Sequence, residues 1–229
     1  MTSIRDWGHD SHKIEFCITT YCNAKCPLCA HTHMYENGTL KLKHADFSVF
    51  EGVVSQFTNY RNIVLCGDYG DPMMHPQIQD YIDYGTSNGH TVIIHTNGGL
   101  RTSKFYEHNA KNKNLELVFG MDGTSQESNE KYRVNVDFNK AMSNMLCFAK
   151  NGGKTQWDYL LFTYNIDEMF EAIEICKQNK IKFMPTINNR HWEYRIEDPA
   201  TIKQLINIIK EYKRDRHIFE MQNIKKYKR

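Results

Sequence analysis

The stretch Ile14-Glu-Phe-Cys-Ile-Thr19, followed at once by Thr20-Tyr21-Cys22-Asn-Ala-Lys-Cys26-Pro-Leu-Cys29, decides the reading of this chain. Ile14–Thr19 is short, apolar and partly β-branched, the composition of a strand. It delivers a loop in which three cysteines stand in the spacing Cys-x-x-x-Cys-x-x-Cys. Three soft thiolates on one short loop lie within reach of a single metal centre. A closed structural site takes a fourth protein ligand. Three cysteines with no obvious fourth point to an iron–sulfur cluster that leaves one iron open to an exogenous ligand.

Working outward, five more strand-like runs follow: Asn62–Cys66, Thr91–His95, Leu115–Met121, Gln156–Thr163 and Ile181–Ile187. Helical patterns lie between and after them, at Ala45–Thr58, Pro76–Ser87, Asp137–Asn151, Asp167–Gln178 and Thr201–Tyr212. The third carries Phe138, Ala141, Met142, Met145, Leu146 and Ala149 on one stripe, with Gly152-Gly153 as its stop signal. Such stripes are core-packing signals. Strands that alternate with helices imply a parallel α/β sheet with right-handed crossovers, here a partial (β/α)6 TIM-type barrel. Sites in such folds form at the carboxyl ends of the strands. The cysteine loop, Gly67–Pro72, Thr96–Gly99 and Asp122-Gly123 each follow a strand and are expected to gather on one rim. The division expected is an N-terminal extension over 1–13, a core domain over 14–196, and a C-terminal helix with a basic tail over 197–229.

Bulk properties narrow the class. The chain has 229 residues, 40% of them hydrophobic and 24% charged, an ordinary globular composition. No apolar run approaches the ~18 residues that a membrane span needs. The first residues lack the apolar stretch of a signal peptide, so a cytoplasmic protein with no membrane partner is expected. Net charge is +2, with +5 concentrated in Lys210–Arg229. That tail reads as a solvated helix end. Docking to nucleic acid or to an acidic partner protein is the alternative, and no nucleic-acid recognition signature is present. The seven cysteines are odd in number and irregular in spacing, which favours metal or redox chemistry over disulfides. Cys17, Cys66, Cys147 and Cys176 sit in apolar periodic segments and read as small buried hydrophobes. His31 and His33 feed the rival reading of the cysteine loop, a zinc site of three Cys and one His.

With these motifs on the page, the chain resembles the radical S-adenosylmethionine (radical SAM) enzymes. "CNAKCPLC" has their cysteine spacing. "GDYGDPMMHP" (Gly67 to Pro76) is similar to their second-strand Gly-Gly-Glu-Pro segment, with Asp71 where the family usually has Glu. "IIHTNGG" (Ile93 to Gly99) resembles their Ser/Thr-Asn-Gly segment. "MDGTSQESNEKYR" (Met121 to Arg133) resembles the stretch where Asp-Gly precedes Tyr-Arg. The resemblance is nearest to members with SPASM-type extensions. No cysteine follows Cys176, so auxiliary clusters are not expected.

What the resemblance implies is specific. Cys22, Cys26 and Cys29 hold a 4Fe–4S cluster whose open iron binds S-adenosylmethionine. Reductive cleavage then yields a 5′-deoxyadenosyl radical that abstracts hydrogen from a substrate. Leu28 packs on adenine. Gly70, Asp71 and Pro72 offer backbone to the methionine ammonium, with glycine permitting close approach. Thr96 and Asn97 contact ribose, although Asn97-Gly98 is also plain turn chemistry. Arg133 pairs with the cofactor carboxylate or forms a surface salt bridge, and Asp122 is a cofactor or substrate group or a turn-former. An electron donor such as flavodoxin or ferredoxin is implied. A peptide or protein is the leading substrate class. A nucleotide or other small molecule is the runner-up, and activation of a glycyl-radical enzyme is a third possibility. A non-catalytic metal-binding module is the alternative from a different class. His95, Tyr164, Asn165 and the segment Asn188–Trp192 lie near the expected rim with no assigned role.

Overall fold

The computed structural model describes residues 13–190 and 192–226, with side chains described as far as Tyr212. Six strands form one sheet in sequential order, every pair parallel: β1 (Lys13–Phe16), β2 (Asn62–Leu65), β3 (Thr91–Thr96), β4 (Leu115–Gly120), β5 (Lys154–Leu161) and β6 (Lys182–Ile187). The strands expected from sequence are all present. β1 differs most at its end, because the ladder to β2 closes at Phe16, whose carbonyl accepts from Cys66 N. Beyond it the chain turns away, and Thr19 makes an isolated antiparallel bridge with His44.

The helices are α1 (Ala30–Glu36), α2 (Phe47–Gln56), α3 (Ile78–Ser87), α4 (Ser103–Asn109), α5 (Gln126–Glu130), α6 (Phe138–Lys150), α7 (Glu168–Asn179) and α8 (Pro199–Lys226). A short 3-10 turn over Pro72–Met74 follows β2. Two of the longer helices start where capping chemistry places them. Asp46 accepts from Ser48 N at the head of α2, and Asp137 accepts from Lys140 N at the head of α6. Helices α1, α4 and α5 run for five to seven residues, too short to display an apolar stripe in sequence. None of the helices is long and apolar enough to cross a membrane, among the described residues.

Strand alternation sorts the two faces of the sheet. Ile63, Leu65, Val92, Ile94, Leu117, Phe119, Trp157, Tyr159 and Phe183 are fully buried on the helical side. Each such side chain contributes about 1.5–3 kcal/mol. Residues of opposite parity, among them Glu15, His95, Glu116, Gly120, Asp158 and Met184, are half-buried or exposed on the other, concave face. Strands β1 and β6 are the two edges, so the barrel is open at one side. The core continues into α8, where Leu205 is buried and Tyr212 meets Phe183 edge-on. The side chains of 213–229, most of the basic tail, lie outside the described residues.

Candidate functional site

The loop after β1 is built around Cys26. Cys26 is buried and Cys22 and Cys29 are half-buried. Cys29 N donates to Cys26 O in a tight turn, and Cys29 then caps α1. Lys25 N donates to Val134 O, which fastens this loop to the segment after α5. Burial pushes the Cys22 thiol up to about 12, with the Asp71 charge adding to it. Burial likewise pushes Cys26 up to about 11, against the pull of the Arg133 guanidinium. Thiols so held keep their protons until a metal cation reverses the local electrostatics.

No three His, Cys, Asp or Glu side chains converge closely enough for a single metal ion, among the described residues. A closed zinc site would need a fourth protein ligand beside the three sulfurs. His31 Nε2 lies 3.0 Å from the Thr20 carbonyl and the ring is buried, so it is a satisfied core histidine. His33 is exposed on α1. The donor set, three soft sulfurs beside one guanidinium, suits an iron–sulfur cluster.

A second group stitches three loops together through Asp71. Its carboxylate is buried and accepts from Met73 N (2.9 Å), Thr96 Oγ1 (3.0 Å) and Asn97 N (2.8 Å). Burial still pushes this carboxyl up, with those hydrogen bonds and Arg133 opposing. Asn97 Nδ2 donates to Asn23 Oδ1 at 2.8 Å, which carries the network into the cysteine loop. Asn97 Oδ1 accepts from Gly99 N, and Thr96 Oγ1 accepts from Gly98 N. The side chains of Asp71, Thr96 and Asn97 thus hold the rim itself. Gly70 also permits a close approach within the chain: a Cβ there would collide with the backbone carbonyls of Thr19 and Tyr21. Pro72 is buried and opens the 3-10 turn.

The third group is an ion pair. Arg133 Nε lies 2.6 Å from Asp122 Oδ2. Asp122 Oδ1 accepts from Leu160 N at 2.7 Å, and its backbone N–H donates to Asn129 Oδ1. Burial pushes the Asp122 carboxyl up while Arg133 pulls it back. Burial also opposes the Arg133 charge, but Asp122 with Cys26 and Tyr132 outweighs it and keeps the guanidinium positive. The guanidinium lies over Gly120, where a Cβ would stand 2.9 Å from Nη2, and it faces Tyr132. Arg133 forms an internal salt bridge, yet it also meets Cys26.

The far side of the rim is aromatic. Trp192 packs against Tyr132, Phe162 and Tyr194, and Phe162 stacks on Tyr164. Asn165 is a buried strut that donates to Asp122 O and Leu160 O and accepts from Phe162 N. Leu28 is half-buried against the core, and its carbonyl accepts from Arg190 Nη1 at 2.7 Å. Asn23, Gly120 and Asn129 carried no assigned role in the sequence, and Arg190 stood only within the Asn188–Trp192 segment. Asn23, Gly120 and Arg190 act through partners distant in the chain, and no local spacing marks them. Cys17 and Cys66 depart from the buried-hydrophobe expectation: Cys17 is exposed, and Cys66 and Cys147 are half-buried, while Cys176 is buried as expected.

A comparison with described protein families finds no match. Among curated proteins, the chain is similar to the AdoMet-dependent heme synthase of Methanosarcina barkeri, 23% identical over 70% of this chain and 46% of that one. The same-named protein of Oleidesulfovibrio alaskensis is 24% identical over 70% of this chain and 41% of its own length. The chain therefore spans less than half the length of these relatives. In fold it is similar to Streptococcus suis SuiB bound to S-adenosylmethionine, with a TM-score of 0.71 at 17% identity over 90% of this chain and 48% of that one. Methylornithine synthase follows, with a TM-score of 0.58 at 11% identity over 86% of this chain and 61% of that one.

Proposed function

We propose that this chain, a relative of the radical SAM enzymes in sequence and fold, is an enzyme that holds a 4Fe–4S cluster on Cys22, Cys26 and Cys29 and binds S-adenosylmethionine at its open iron. The observation that carries this reading is the three-thiol loop on the carboxyl-end rim, its one buried histidine turned away to Thr20 O. When bound, the cluster and S-adenosylmethionine supply a 5′-deoxyadenosyl radical that takes hydrogen from substrate. The chain's own residues bind and orient. Arg133, positive and fixed by Asp122, would balance the negative charge of a Cys26 thiolate and receive the cofactor carboxylate. Gly70, Asp71 and Pro72 present backbone to the methionine ammonium, while the Asp71 side chain holds Thr96 and Asn97 at the ribose. Leu28 packs on adenine, and the Trp192 cluster keeps water from that side of the rim.

The substrate we favour is a peptide or protein. The open side between β1 and β6 admits a large substrate, and SuiB, similar in fold, has been crystallised with its precursor peptide SuiA. A small molecule is the second reading, favoured by the heme synthases among the sequence relatives. A one-electron donor such as flavodoxin or ferredoxin completes the system. The test is anaerobic reconstitution with iron and sulfide, followed by dithionite and S-adenosylmethionine. Wild-type protein is expected to release 5′-deoxyadenosine and Cys26→Ala to release none. Equal release from both would refute the assignment of Cys26. Mass spectrometry of peptide and small-molecule pools with and without active enzyme separates the two substrate classes.

A further inference from the structure

Two cysteines outside the proposed cluster face each other at the root of the rim. Cys17 Sγ and Cys66 Sγ are 3.2 Å apart. They follow β1 and β2 directly, one residue past the paired Phe16 and Leu65. Phe16 packs against Phe50, and Leu65 is fully buried, so both lie on the helical side of the sheet. Strand alternation puts Cys17 and Cys66 on the opposite, concave face, and Cys17 is exposed there. The Cα pairing ends at Phe16 and Leu65, and Cys66 N still donates to Phe16 O, so the two backbones run side by side at this level. Neighbouring parallel strands run ~4.8 Å apart, within the Cα separation that a disulfide tolerates.

The two sulfurs are not equivalent. Cys17 is the more exposed of the two, and the facing Cys66 thiol, with the Tyr69 backbone, lowers its pKa against burial and the charges of Asp68 and Glu15. Cys66 is half-buried and leans on the Phe16 carbonyl at 3.4 Å. One exposed sulfur beside one half-buried sulfur is the asymmetry of an attacking and a resolving thiol.

We propose that Cys17 and Cys66 form a second redox site, a dithiol that exchanges with disulfides and closes into a Cys17–Cys66 disulfide on the concave face of the sheet. With glutathione disulfide as co-reactant, the Cys17 thiolate attacks one sulfur and expels a glutathione thiolate. Cys66, giving up its proton, then attacks Cys17 sulfur and expels the second. The dithiol loses two electrons and two protons, and one glutathione disulfide becomes two glutathione thiols. The bridge is reversible by the same chemistry. Closing it draws the sulfurs together from 3.2 Å to the ~2.05 Å of a bond. This site stands independently of the cluster.

The test is peptide mapping of the full-length, reconstituted protein after anaerobic equilibration with glutathione buffers of rising disulfide content. The expected product is a linked Cys17–Cys66 peptide that disappears on reduction. Cys66→Ser is expected to trap glutathione on Cys17, and Cys17→Ser to leave Cys66 unmodified. Alkylation of Cys17 is expected to run about tenfold faster than that of half-buried Cys147. No linked peptide in the most oxidising buffer, or Cys66 trapped in Cys17→Ser as readily as Cys17 in Cys66→Ser, would overturn the proposal. Circular dichroism of both variants reports whether either has lost the fold, and iron content is scored separately, so failure of the cluster reading leaves a distinct signature.

Discussion

Arg133 Nε sits 2.6 Å from Asp122 Oδ2, and this pair brings a guanidinium from the segment after α5 to Cys26 in the loop after β1. Asp122 is fully buried and Arg133 mostly so. The pair is therefore both a brace for the rim and a fixed positive charge beside a proposed cluster ligand.

Asp122→Asn removes one partner and leaves a buried guanidinium uncompensated. Loss of about 3–5 kcal/mol of stability is expected, read as a lower denaturant midpoint. Iron content after reconstitution should fall with it. Unchanged stability would mean that the pair does not brace the rim.

Gly120→Ala tests the seat of Arg133. The added methyl would stand 2.9 Å from Nη2 and 3.2 Å from Cζ, so the guanidinium must move. A cost of about 1–3 kcal/mol is expected for the crowding. S-adenosylmethionine binding should weaken more than the fold does. Calorimetric titration beside thermal unfolding separates the two, and equal losses would deny Arg133 a cofactor role.

Asp71→Ala leaves Met73 N, Thr96 Oγ1 and Asn97 N without their acceptor. Loss of about 3 kcal/mol is expected, the scale of hydrogen bonds to a buried charged group. Amide exchange should quicken at Met73 and Asn97 first. Exchange that quickens evenly over the whole chain would argue that Asp71 does not act locally.

The order of strands and helices was legible because each strand is apolar on its helical face and each long helix has a stripe or a cap. Val92 and Ile94 in β3, or Phe138, Ala141 and Met145 in α6, announce themselves by period. The cysteine triad was legible from spacing alone. Asp71, Thr96 and Asn97 were legible as a group, but their mutual hydrogen bonds were not, since those join residues twenty-five or more apart. Gly120 looked like any strand-terminal glycine, and only the guanidinium above it explains it. Cys17 and Cys66 sit in apolar runs, and apolar surroundings in sequence do not reveal that both follow strand ends on the concave face.

His75 supplies a pH dependence. Its Nδ1 accepts from Gln77 N and its Nε2 donates to Ala45 O, an arrangement that needs the neutral ring. Burial lowers its pKa below the unfolded value of about 6.5, and His44 and Arg101 add to the shift. The folded state thus binds fewer protons than the unfolded state through this window. Its contribution to stability is present above about pH 6.5 and lost as pH falls through the folded value. Urea midpoints from pH 8 to 5 should decline more steeply in wild type than in His75→Gln. Parallel profiles would assign the decline to other groups.

The central claim is an iron–sulfur cluster on Cys22, Cys26 and Cys29 with one iron open to S-adenosylmethionine. The most direct measurement is the electron paramagnetic resonance spectrum of the dithionite-reduced, reconstituted protein with and without S-adenosylmethionine. A reduced 4Fe–4S signal that shifts when S-adenosylmethionine is added is the predicted result. A protein that holds zinc and shows no cluster signal, or a cluster signal indifferent to S-adenosylmethionine, would contradict it.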